Sequence, residues 1–183
     1  MFEGIGSLSP DTGAETIFKH FGYSPEPHEL RDFFEWENLR CFERSTSAVF
    51  PQERLNGYLS FGKYPEQDII AYNLGLNKPS RRYYTYALTW ISLTERYMYK
   101  QGEYIKLPIL SYLPSAGFLK AHDFAQNLLM PEKLFRRDFE ITHDYTHANT
   151  RRTISELAKA YDVHSRHIIE RSQELNLLSS DVR

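Results

Sequence analysis

The sequence predicts an α+β protein, and three stretches of the 183-residue chain carry that prediction. Apolar and polar residues alternate in Leu55–Phe61, as in a half-buried strand, and Asp68–Asn73 follows after a turn as a second strand. In Ala116–Met130, apolar residues recur at the spacing of one helical face. We therefore expect a short antiparallel sheet packed against helices.

Two helices are predicted ahead of the strand pair. Residues 1–13 are rich in Gly, Ser and Pro and are expected to be irregular. Ala14–Phe21 forms a short helix that ends at Gly22, and residues 28–44 place apolar side chains along one face of a second helix. Cys41, the single cysteine, is expected to be a small buried residue of that second helix.

The remainder of the chain is predicted to be mostly helical. Arg82–Tyr99 forms a long helix, and Gln101–Pro114 is mixed because two prolines interrupt it. Pro131 ends the helix Ala116–Met130 and suits the first turn of the next helix, Glu132–Phe139.

A polar linker and a helical pair are predicted at the C-terminal end. Ile141–Arg152 is expected to be the linker, and Thr153 with Glu156 forms a capping box for a helix that ends at Tyr161. Ser165 caps a last helix that ends at Leu175.

This organisation divides the chain into a first domain, residues 1–140, and a C-terminal helical unit, residues 141–183, packed together as one globule. Residues 154–175 resemble a helix-turn-helix unit. Two positions depart from that pattern: Asp162 stands where the turn usually has glycine, and Arg171 stands where an apolar residue is expected.

Composition and charge limit the classes of function that the chain can have. The formal net charge is −2, so no global basic field attracts nucleic acid. Aromatic residues make up 15% of the chain, which favours partner binding because aromatic rings supply large contact surfaces. The sequence has neither the pattern of a secretion signal nor an apolar run of membrane-spanning length. We therefore expect a cytoplasmic protein with no membrane segment and no cofactor.

Ala121–Pro131, which reads AHDFAQNLLMP, resembles the helix that closes the active site in the ImmA/IrrE family of zinc peptidases. The pattern of that helix is roughly A-N-x-F-A-x-x-L-L-M-P. The segment RRYYTYALTWIS resembles the preceding helix of the same family, R-F-T-L-A-H-E-x-G-H. The resemblance covers residues 14–178 and implies a zincin-like peptidase scaffold.

The metal-binding residues of that family are not matched. In H-E-x-x-H, two histidines bind zinc and the glutamate acts as general base. The resemblance places these three residues at Leu88, Thr89 and Ser92, and a shift by one residue supplies no ligand either. The family's third ligand is acidic, and Ser111–Lys120 contains no acid.

The resemblance therefore implies a catalytically inactive pseudo-peptidase. Members of the family cut or bind helix-turn-helix repressors of mobile elements, including phages, and of stress responses. We expect a regulatory protein, active in transcription regulation, that binds a protein partner such as a repressor through the old substrate groove. Tyr84, Trp90 and Tyr97 are the candidate partner-binding residues.

A different hypothesis is a DNA-binding transcription regulator that uses residues 153–175. A DNA-reading helix would present Arg166, His167 and Gln173. Two glutamates on the same face disfavour contact with phosphates, so nucleic acid is not the favoured partner.

The third hypothesis is a metalloenzyme with a relocated site. His143, Asp144 and His147 read H-D-x-x-H, the spacing of a metal pair on one helical face with an acid between them. A third ligand would come from one of three further histidines, His122, His164 or His167.

Overall fold

The structure is a computed structural model. It describes residues 9–23, 25, 29, 42–45, 49–50, 55–64, 67–73, 75–98, 100–108 and 116–180.

Four strands form one sheet in the order β1-β3-β2-β4. They are β1 (Phe42–Ser45), β2 (Leu55–Ser60), β3 (Ile69–Tyr72) and β4 (Tyr104–Pro108). β2 pairs antiparallel with both β3 and β4, whereas β1 at one edge is parallel to β3. The predicted α+β class and the predicted strand pair are confirmed, with a parallel edge strand added to the antiparallel sheet.

Six α-helices are found in the described part of the chain. They are α1 (Pro10–Phe21), α2 (Lys78–Glu95), α3 (Ala116–Leu129), α4 (Glu132–Tyr145), α5 (Thr150–Ala160) and α6 (Ser165–Glu174). A short 3-10 helix, Arg96–Met98, continues α2. No helix among these residues is both long enough and apolar enough to cross a membrane.

α2 is the central helix, because it packs against both the sheet and α3. It begins where the side chain of Asn77 accepts a hydrogen bond from the backbone N–H of Ser80. Gly57 in β2 lets the helix lie close to the sheet. A Cβ at Gly57 would stand 2.8 Å from the carbonyl oxygen of Ala71 and 3.2 Å from Cδ1 of Leu88.

One cluster of buried apolar side chains joins the two predicted units. It includes Leu59 of β2, Leu88 of α2 and Phe124 of α3, together with Phe135 of α4 and Ile168 of α6. The division at residue 140 stays a prediction, although that position lies inside the continuous helix α4.

Several predicted boundaries in the N-terminal half were wrong. α1 begins at Pro10, because the side chain of Ser9 caps it by accepting from the N–H of Thr12. Residues 42–44 belong to strand β1, so the predicted helix 28–44 does not reach its expected end. Cys41 and most of that predicted helix lie outside the described residues.

The predicted linker Ile141–Arg152 was also wrong. α4 continues to Tyr145, and α5 already begins at Thr150. Asn149 is the N-cap of α5, since its side chain accepts from the N–H of Arg152. The capping box is wrong for the same reason, because the Thr153 hydroxyl is inside the helix and donates to the carbonyl of Asn149.

Candidate functional site

The three positions that the resemblance assigns to H-E-x-x-H are all in the core. Leu88 is 0% exposed, and Thr89 and Ser92 are each 2% exposed. The Ser92 hydroxyl donates a hydrogen bond of 2.7 Å to Oδ2 of Asp68. These residues do not fit zinc, because Leu88 has no donor atom and the two neutral hydroxyls are sealed from solvent.

Asp68 is a buried carboxylate that sequence reasoning did not single out. It is 0% exposed and lies directly before β3. Its Oδ1 accepts from the backbone N–H of Gly62 at 2.9 Å and lies 3.5 Å from Nη1 of Arg96. With the bond from Ser92, these contacts tie the turn after β2 to the C-terminal half of α2.

The three candidate partner-binding residues have different environments. The structure contradicts the prediction for Trp90, which is 2% exposed and stacks on Phe124 in the core. Tyr84 is partly buried, and its hydroxyl accepts from Nδ2 of Asn56 at 2.8 Å. Tyr97 is 85% exposed and is the candidate that a partner can reach.

Tyr97 borders a shallow surface depression with a volume of about 470 Å³. Two cationic side chains, Lys63 and Arg96, line the depression. Arg96 also donates a hydrogen bond to the carbonyl of Gly62, so Lys63 is the more accessible of the two charges. We call the lining residues the Tyr97 surface: Gly62, Lys63, Leu93, Thr94, Arg96, Tyr97 and Gln101.

The proposed metal site at His143, Asp144 and His147 does not have the geometry that its spacing suggested. α4 ends at Tyr145, and His147 has a positive φ of 54°, so the two histidines do not share a helical face. The His143 ring stacks on Phe139 and its Nδ1 lies 3.3 Å from the hydroxyl of Thr153. Within the described ranges, no three His, Cys, Asp or Glu side chains are grouped so that they could hold a metal ion.

A second polar cluster joins three helices, and sequence reasoning missed it. We call it the polar ring: Tyr83 of α2, His122 and Gln126 of α3, and His167 and Glu170 of α6. The Tyr83 hydroxyl lies 2.5 Å from Nδ1 of His122. Nε2 of His122 lies 3.0 Å from Nε2 of Gln126, which also donates to Oε2 of Glu170 at 3.4 Å. The His167 ring completes the ring by stacking on Tyr83, with centroids 4.4 Å apart.

Burial sets the protonation states in this ring. It raises the pKa of the Tyr83 hydroxyl and lowers the pKa of His122, so both groups are neutral near pH 7. Burial also opposes the charge of Glu170, but the His167 ring and the Arg166 guanidinium outweigh it and lower the pKa of Glu170 to about 2. The ring therefore holds one carboxylate beside a neutral histidine.

The candidate DNA-reading residues on α6 are engaged within the protein. Nε of Arg166 donates to Glu170 at 2.7 Å, and the Gln173 amide donates to the carbonyl of Ser179. His167 packs on Tyr83, and its side chain is only 14% exposed. The contact of His167 with α2 leaves little of its ring accessible to a DNA partner.

No protein-family model matches the chain, and no curated protein matches it.

Proposed function

We propose that this chain is a zinc-free, peptidase-like regulatory protein that binds a protein partner. The proposed partner class is a helix-turn-helix repressor of a mobile element or a stress response. The zincin-like scaffold is part of the proposal and rests on the ImmA/IrrE resemblance of Ala121–Pro131 and of the α2 segment. The α+β arrangement, with α2 packed on the sheet and on α3, is compatible with that scaffold.

The observation that carries the proposal is the contrast between two parts of one helical segment. In α2, Leu88, Thr89 and Ser92 are sealed in the core, where they can neither bind a metal nor meet a substrate. Two residues beyond the end of α2, Tyr97 is 85% exposed beside a depression. A segment without accessible catalytic groups that presents an exposed aromatic ring is suited to binding and not to hydrolysis.

Tyr97 has the properties of an interface anchor. Tyrosine is enriched among residues that dominate binding energy, because it combines a large apolar ring with a hydroxyl and has few rotatable bonds. Its sequence neighbour Met98 is 54% exposed, and Tyr64, next to Lys63 of the Tyr97 surface, is 48% exposed. Exposed aromatic and methionine side chains around a depression are typical of interface cores.

Site-specific photo-cross-linking in the native host tests this proposal. A photoreactive amino acid replaces Tyr97 in one strain and Tyr145, which is 69% exposed on α4, in a matched strain. We expect one dominant protein adduct at position 97, containing a helix-turn-helix domain, and not at position 145. The same adducts at both positions would contradict the assignment of the Tyr97 surface.

The recovered partner then allows a quantitative test with purified proteins. Tyr97→Ala is expected to weaken binding by about tenfold or more, the loss typical of an interface anchor. Tyr145→Ala is the matched control, because it removes another largely exposed tyrosine, at 69%, from a different helix. Equal affinities for wild type and Tyr97→Ala would remove Tyr97 from the interface.

DNA binding by α5 and α6 is the second candidate function, and one observation favours it. Asp162 has a left-handed φ of 50° in the short connection between the two helices, which is the conformation for which that turn usually has glycine. Mobility-shift titrations of wild type and Arg166→Ala decide this candidate. DNA binding that Arg166→Ala leaves unchanged argues against α6 as the reading helix.

A further inference from the structure

The polar ring leaves little freedom in where its protons lie. The amide nitrogen of Gln126 can only donate hydrogen bonds, and it contacts both Nε2 of His122 and the Glu170 carboxylate. Nε2 of His122 must therefore accept, so the neutral imidazole carries its proton on Nδ1 and donates it to the oxygen of Tyr83. The Glu170 carboxylate, which only accepts, fixes the orientation of the amide.

Protonation of His122 is incompatible with this arrangement. A second proton on Nε2 turns that atom into a donor that faces the donor nitrogen of Gln126. Rotating the amide by half a turn would place Oε1 of Gln126 against the carboxylate of Glu170, so that two acceptors face each other. The first arrangement sets two donors of α3 against each other, and the second removes the link between α3 and α6, which is the bond from the Gln126 amide to Glu170.

We propose that the polar ring is a proton-sensitive latch, in which protonation of His122 weakens the docking of α6 onto α2 and α3. The latch is closed when His122 is neutral. Gln126 is 1% exposed and Tyr83 is 6% exposed, so water does not readily replace the contacts that protonation breaks.

The titratable groups that face His122 come from all three helices. They are Tyr83 on α2, Asp123 on α3, and His167, Glu170 and Glu174 on α6. Burial is the largest effect on His122 and lowers its pKa, while the nearby carboxylates partly oppose that shift. The net result is a pKa below the 6.5 of an unperturbed histidine.

The lowered pKa of His122 determines the pH range in which the latch weakens. Between its lowered pKa and 6.5, His122 binds more protons in the undocked state than in the docked state. Docking is therefore fully stabilised above about pH 6.5 and weakens as the pH falls through the pKa of the docked histidine. Glu170 contributes little between pH 7.5 and 5, because its pKa of about 2 and the 4.5 of an unperturbed glutamate both lie below that range.

Amide hydrogen exchange measured between pH 7.5 and 5 tests the latch on the full chain. We expect the protection factors of α6 to fall by about tenfold for each unit by which the His122 pKa is lowered, relative to the amides of β2. In His122→Asn, which cannot titrate, the α6 protection is expected to be independent of pH over this range.

Two histidine variants serve as controls. His143→Asn removes a histidine of α4 outside the polar ring and is expected to retain the wild-type pH dependence. His164→Asn tests whether His164 causes part of the pH dependence. His164 contacts the hydroxyl of Ser80, and burial lowers its pKa as well. The pH dependence that remains in His164→Asn is expected to belong to His122.

Two results would overturn the latch. One is α6 protection that stays constant from pH 7.5 to 5 in wild type, or that falls equally in wild type and His122→Asn. The other needs no variant: an NMR titration of the His122 ring in wild type that gives a pKa of 6.5 or above.

Discussion

The indole of Trp90 stacks on the ring of Phe124, with centroids 4.7 Å apart and planes inclined by 28°. This contact joins α2 to α3, and both side chains are sealed from solvent. Trp90 lies between positions 89 and 92, where the resembling peptidases carry their catalytic residues. The helix that resembles the catalytic helix of those peptidases is held here by aromatic packing.

Removal of the Trp90 ring from this stack is expected to destabilise the fold severely. Trp90→Ala should lower the free energy of unfolding by about 3–5 kcal/mol, because it leaves a large cavity between α2 and α3. Urea denaturation followed by circular dichroism measures the loss. Tyr97→Ala on the same helical segment is the control and should stay within about 0.5 kcal/mol of wild type. A loss below about 1 kcal/mol for Trp90→Ala would show that the stack is not part of the core.

Ser92→Ala tests whether Ser92, which the proposed resemblance aligns with a zinc ligand, has a structural role. The substitution removes the hydrogen bond to the buried carboxylate of Asp68 and should cost about 1–3 kcal/mol of stability. Ser155→Ala, at an exposed position of α5, is the matched control and should have little effect. Equal stabilities for the two variants would mean that Ser92 does not hold Asp68.

Arg171 is 1% exposed, and its guanidinium donates to the carbonyl of Met130 and to the side chains of Asn127 and Glu174. Arg171→Ala should therefore cost about 3–5 kcal/mol, because it removes a buried group and leaves its acceptors unpaired. Arg171→Met restores the apolar volume and should recover part of that loss. Thermal denaturation of the two variants gives the comparison, and an Arg171→Ala protein as stable as Arg171→Met would contradict this account.

Asp162 allows a comparison in which only the backbone matters. Its carboxylate lies 3.3 Å from Nζ of Lys78 and 3.9 Å from Nη1 of Arg82, and both Asp162→Ala and Asp162→Gly remove these contacts. Because φ is 50°, alanine should be less stable than glycine by about 1 kcal/mol. Chemical denaturation of the two proteins side by side decides the point. Alanine equal to or better than glycine would exclude a left-handed residue in this turn.

The lowered pKa of Glu170 predicts a loss of stability in acid that is separate from the latch. Its pKa of about 2 in the folded chain lies below the 4.5 of an unperturbed glutamate. The unfolded chain therefore binds more protons as the pH falls, so the stabilisation is complete above about pH 4.5 and is lost toward pH 2. Glu170→Gln should be less stable than wild type at pH 7 by roughly 1–3 kcal/mol and approach it at pH 2. A stability difference that does not change with pH would contradict the charged contacts of Glu170, and Asp144→Asn on α4 is the control.

The strongly periodic segments could be predicted from the sequence. Phe124, Leu128 and Leu129 of α3 and Leu59 of β2 are all buried, as the apolar spacing indicated. Strand β4 was missed although Ile105 and Leu107 are buried on one face, because five residues between breaks give too short a pattern.

The sequence did not predict that α4 extends to Tyr145, because the last turns of this helix face solvent and lack the apolar spacing of a buried face. Ile141 is 61% exposed and Tyr145 is 69% exposed, so the segment resembled a linker. Trp90 was assigned to a partner because a single sequence does not show which side of α2 faces α3. The polar ring could not be predicted for a different reason. Tyr83 and His122 are 39 residues apart in the sequence, and only the packing of three helices brings them together.

Zinc analysis of the purified chain tests the central claim most directly. The protein is equilibrated with zinc, dialysed without chelator and analysed by inductively coupled plasma mass spectrometry. We predict a content far below one zinc per chain, because the side chains at positions 88, 89 and 92 supply no accessible ligand. One zinc per chain, together with peptide hydrolysis that a chelator abolishes, would contradict the account of a binding protein on a peptidase-like scaffold.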